Sequence, residues 1–156
     1  MTELKFYKPV GGILSAELFF ASDLNSVDDM AKGQGVAVEL CDDKSTYEEH
    51  FSAESGLVSV QHTLTLVADG NKGREWMQRE FIERCSTEGV VARVEMATGD
   101  EIVVGHCPRF VFEQALRLGS LKFSSGDRLN SSPEVVLTLT CHDTQSAMEI
   151  LKPYKH

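Results

Sequence analysis

The stretch from Gly73 to Glu88, GREWMQREFIERCSTE, limits the fold more than any other part of the chain. It is the one helical pattern in a sequence otherwise written in strands. Trp76, Met77, Phe81, Ile82 and Cys85 recur at helical spacing and read as one apolar stripe, while Arg74, Glu75, Arg79, Glu80 and Glu83 are left for solvent. Asp69 or Asn71 is placed to cap its start, and Gly89 to end it. A stripe this apolar has to lie on a sheet, so the helix predicts a layered fold whose other material is strand.

The rest of the chain supplies those strands. Residues 13–21 follow the Gly11-Gly12 turn and read as extended, with Ile13, Phe19 and Phe20 as their strongest strand formers. Residues 23–35 are polar and turn-rich. Residues 36–41 alternate, with Val36, Val38 and Leu40 on one side. Residues 46–53 place Tyr47, Glu49 and Phe51 on one face, and Glu54-Ser55-Gly56 turns the chain into the longest strand, 57–68. There Val58, Val60, His62, Leu64 and Leu66 align, with Thr63 and Thr65 opposite. After the helix, residues 90–96 and 101–105 form a hairpin across Gly99, residues 110–123 hold a further apolar run, and 134–142 close the set. The reading is α+β and mostly β: an antiparallel sandwich or barrel with one flanking amphipathic helix. A length of 156 residues fits a single domain over 1–156, with the tail from about residue 143 crossing the surface.

Composition narrows the partners. A net charge of −9 argues against wrapping nucleic acid, which needs clustered Lys and Arg. The apolar run 13–21 carries Glu17 and is too short to span a membrane. Cys41, Cys85, Cys107 and Cys141 are widely spaced with no CxxC pair, which suits free thiols in a reducing cytoplasm.

Chemistry has few candidates. His106-Cys107 and Cys141-His142 are the residue types that bind zinc. If the last three strands form a meander, the two pairs share one end of a sheet. Neighbours in a strand point to opposite faces, however, and the outer strands of a meander lie about 9–10 Å apart, against zinc–ligand distances of roughly 2.0–2.3 Å. His62 sits on the apolar face of its strand, which predicts a hydrogen-bonded core histidine rather than a general base. Glu48-Glu49-His50 reads as a charged strand edge. No GxSxG, HExxH or GxxxxGK[ST] motif is present. No catalytic, cofactor-binding or metal residue is therefore assigned.

Three blocks of the chain resemble a known group. Gly11-Gly12-Ile13 through Phe20-Ala21 into Asp23-Leu24-Asn25-Ser26-Val27 is the first. Tyr47-Glu48-Glu49, Gly56, the long strand to Leu66 and the helix form the second. The strand–turn–strand ending at Val104-Gly105, then Leu116-Arg117-Leu118, Ser125-Gly126 and a closing strand over 135–140, form the third. Together they resemble small tail-type structural proteins of Bacteroidetes phages and prophages, of the tail-tube kind. The resemblance implies a non-enzymatic subunit without cofactor that assembles with copies of itself, in a ring or other homo-oligomer, and with other particle proteins as further candidate partners. It would be cytoplasmic during assembly and then part of a virion or phage-like particle, with the 23–35 and 127–133 loops touching neighbours. The alternative class is a small β-rich binding or metal-binding protein using His106, Cys107, Cys141 and His142.

Overall fold

A computed structural model describes residues 12–24, 35–38, 40, 44–70, 73–105, 115–126, 133–143 and 146. Among these residues, eight strands are arranged as two four-stranded antiparallel sheets. The first joins β1 (Ile13–Phe20), β2 (Val36–Val38), β5 (Val90–Met96) and β6 (Glu101–Val104) in the order β2-β1-β5-β6. The second joins β3 (Thr46–Glu54), β4 (Leu57–Asp69), β7 (Arg117–Ser124) and β8 (Glu134–Asp143) in the order β3-β4-β8-β7. The sheets remain separate, so of the two layouts expected from the sequence the sandwich is realised and the closed barrel is not.

Alternation puts the core between the sheets. Along β4, Val60, Leu64 and Leu66 are fully buried and the intervening threonines are not. Along β8, Val135, Leu137 and Leu139 face the same way, and Thr138 and Thr140 face out. Their counterparts in the first sheet are Ala16, Leu18, Ala92, Val94, Ile102 and Val104, and all belong to one apolar cluster. The first sheet also buries its other face. Phe19 and Val91 pack there with Ala21, Leu24 and Ala115, so the sheet is covered on both sides at that point.

The expected helix over 73–88 is two pieces. A 3-10 turn, Arg74–Met77, precedes the α-helix α1, Arg79–Thr87, and Gln78 between them is extended with ψ 138°. The reason is angular. At 3.6 residues per turn, the five residues from Trp76 to Phe81 rotate about 140°, so one straight helix would aim the two aromatics to nearly opposite sides. The break at Gln78 lets Trp76, Phe81 and Cys85 all enter the core. Met77 and Ile82 are only partly covered.

Capping also differs from expectation. Neither piece has a side-chain N-cap hydrogen bond. Asp69 is the last residue of β4 and accepts the Gly73 N–H through its backbone carbonyl at 2.8 Å, while Asn71 lies outside the described residues. Gly89 does end the helix, with φ 89° and its N–H donated to the Arg84 carbonyl. Phe81 meets Phe20 edge-to-face at 5.7 Å, and the Arg84 guanidinium lies 3.9 Å above the Phe20 ring, which ties α1 to β1. The β5–β6 hairpin turns at 97–100 as read from the sequence, with Gly99 at φ 100°.

No helix among the described residues is long and apolar enough to cross a membrane. Of the expected surface-crossing tail beyond Asp143, only Ser146 is described.

Candidate interaction surface

The four residues with zinc chemistry do not come together on the described part of the chain. His106 and Cys107 lie outside the described residues. Cys141 points inward and is buried, while its neighbour His142 is exposed, as strand alternation requires. The expected three-strand meander is replaced by a crossover. β6 pairs with β5 in the first sheet, whereas β7 and β8 pair in the second. Before the chain crosses, Leu116 exchanges both backbone hydrogen bonds with Val90, at 2.8 and 2.9 Å, next to β5. Among the described residues no group of three or more His, Cys, Asp or Glu side chains is placed to hold a metal ion.

His62 is the buried, hydrogen-bonded histidine that its position predicts, with 3% of its surface exposed. The chain reaches it through the β3–β4 turn. Glu54 pairs with Leu57 across Ser55 and Gly56, both at positive φ (55° and 82°), the conformation of a type I′ hairpin turn. That two-residue turn sets the register of the whole hairpin, and Glu49 falls opposite His62. Cys141 of β8 is opposite His62 on the other side, so Glu49, His62 and Cys141 form one row across three strands on the inner face. Glu49 is therefore not part of a charged edge with Glu48 and His50: those two are exposed and Glu49 turns inward.

Around this row the polar atoms satisfy one another. Tyr47 donates its hydroxyl hydrogen to Glu49 Oε2, and Ser146 Oγ donates to Glu49 Oε1 at 2.5 Å. The Tyr47 oxygen is also 2.5 Å from His62 Nδ1, and the two rings stack at 6.0 Å. Two contacts need two protons. Tyr47 supplies one to Glu49, so in the other contact His62 Nδ1 donates to the phenol oxygen, with Glu49 Oε2 3.4 Å from the same nitrogen. Burial first, then the Glu49 carboxylate, raises the Tyr47 phenol above its ordinary range, so it stays a donor. Burial pushes the Cys141 thiol up to about 12, and the Cys85 thiol likewise to about 12, so both are protonated and unreactive near neutrality. Such a buried network locks strands together.

Directly beyond the network the structure changes character. β8 ends at Asp143, opposite Val60, while β3 and β4 continue as a two-stranded arm. Every residue from 51 to 59 is exposed. Phe51 and Val58 extend the core-facing stripe past the end of the core and are 55% and 53% exposed, and Leu57 at the tip is 76% exposed. A two-stranded ribbon with exposed apolar side chains is marginal in water on its own. The sequence showed these residues as strand but not that they are exposed. Of the two loops expected to touch neighbours, residues 25–34 and 127–132 lie outside the described part.

Comparison of the chain with family models, with curated proteins and with solved structures finds no match.

Proposed function

We propose that this chain is a structural subunit that assembles with copies of itself, of the tail-tube kind its sequence resembles, and that it carries no catalytic role. The observation that supports this is the arm over residues 51–59, which leaves Phe51, Leu57 and Val58 exposed on a two-stranded ribbon. Association hides such side chains, and burying one large aliphatic group contributes about 1.5–3 kcal/mol. A net charge of −9 keeps the surface from adhering to nucleic acid, which fits a particle wall that DNA passes without sticking.

The test is oligomeric state against concentration, by native mass spectrometry and light scattering, with electron microscopy of the concentrated protein. The expected result is a concentration-dependent oligomer or regular particle that is lost in the Phe51→Ser, Leu57→Ser double variant. A monomer at every concentration would overturn the proposal.

A further inference from the structure

The arm forms one end of the second sheet, and the opposite end carries a groove. Among the described residues it is lined by Gly70, Arg74, Met77, Gln78, Phe123 and Pro133, with a volume of about 320 Å³. Its floor depends on a glycine. The Gly70 N–H bonds the Pro133 carbonyl at 2.9 Å, and a Cβ on Gly70 would lie 2.8 Å from the Pro133 side chain and 3.3 Å from the Phe123 ring. Phe123 is 51% exposed on the edge strand β7, with no ring partner among the described residues. An apolar cavity of ~150 Å³ holds a benzene ring, so this groove has room for one or two apolar side chains.

We infer that the groove receives the arm tip of a second copy of this chain, with Leu57 entering beside Met77 and Phe123 and Glu54 meeting Arg74. This rests on the self-assembly reading and names the two surfaces that meet. Three observations support it. Leu57 and Glu54 are cross-strand partners at the tip, so they present an apolar knob and a carboxylate side by side. Met77, Phe123 and Pro133 beside Arg74 present the complementary pair. Glu54 and Arg74 are both exposed, and neither side chain forms an ion pair among the described residues.

Geometry makes the contact intermolecular. β4 runs the full length from tip to groove, 13 residues, and at about 3.3 Å per residue that is roughly 40 Å, so no chain can fill its own groove with its own tip. Tip and groove are different patches at opposite ends of one sheet. The contact is therefore head-to-tail and generates a ring if the rotation closes and a filament if it does not.

A charge-swap experiment tests this. Glu54→Arg and Arg74→Glu are exchanges of exposed side chains, and each variant should keep the wild-type melting temperature. Each alone should associate at least about tenfold more weakly, because every contact then sets like charges together. An equimolar mixture should regain wild-type association, since each arm then finds a groove of opposite charge on the other variant. Singles that associate like the wild type, or a mixture as weak as the singles, overturn the groove as the receiving site. Either result leaves self-assembly standing if the wild type still oligomerises. A monomeric wild type removes both.

Discussion

The two halves of the β3–β4 hairpin are written in the same alternating pattern and meet opposite fates. From Val60 to Ala68 the inward residues of β4 are fully or almost fully buried; from Leu57 to Ser59 the same strand is exposed. Composition does not separate the halves. The difference is the neighbour: β8 runs alongside β4 only as far as Asp143, opposite Val60. Burial here is decided by the length of another strand. A stretch can be a core strand at one end and exposed at the other without any change in its residue pattern.

The largest expected effect breaks that comparison most directly. Leu66→Ala removes a fully buried side chain and should cost about 2–5 kcal/mol in a urea titration, while Leu57→Ala in the monomer should stay within about 0.5 kcal/mol. Equal costs would mean that the arm is packed in solution and that the two halves are alike.

Alkaline titration probes the packed half alone. Tyr47, Cys85 and Cys141 all hold their protons more tightly folded than unfolded, the thiols up to about 12. Below about pH 9 the thiols are protonated in both states and cost nothing. As pH rises from there toward 12, the unfolded chain releases protons that the folded chain keeps, and stability falls by about 1.4 kcal/mol per pH unit for each thiol, with Tyr47 adding to the slope above about pH 10. The urea midpoint should therefore fall between pH 9 and 11, and Cys141→Ala should flatten the slope. A midpoint independent of pH in that window would mean that the thiols are open to solvent.

Much of this arrangement is legible in the residues. Alternation located β4 and β8 and the buried side of His62, and the Ser55-Gly56 turn carries enough information to place Glu49 opposite it. Other features are not local. β6 and β7 alternate in the same way whichever sheet they join, so the crossover between sheets could not be read from their pattern. The break at Gln78 follows from the angle between Trp76 and Phe81, but it becomes necessary only once both aromatics must enter the same core. The bare arm follows from where β8 stops, which no residue of β3 or β4 encodes. The groove is built from three segments brought together by that pairing, and the sequence gives no hint of it.

The network at the boundary is the next test. Glu49→Gln retains the shape but removes the charge that accepts from Tyr47 and Ser146, and should cost about 1–3 kcal/mol. Its mark should be directional: hydrogen exchange should speed up in residues 47–62 before it does in 64–68. Uniform acceleration across β4 would show that the network supports the whole sheet rather than the root of the arm.

The smallest effect isolates the arm. Gly56 is at φ 82° with nothing within 4 Å of where a Cβ would stand, so Gly56→Ala introduces no clash and only the strain of a left-handed conformation, about 1 kcal/mol. If the arm unfolds independently of the packed half, that cost falls on the arm alone. Amides over 51–59 should then exchange several-fold faster while the global urea midpoint stays unchanged. A midpoint shift of the full 1 kcal/mol would show that arm and core unfold as one unit, and that the polar row at Glu49 and His62 transmits strain instead of confining it.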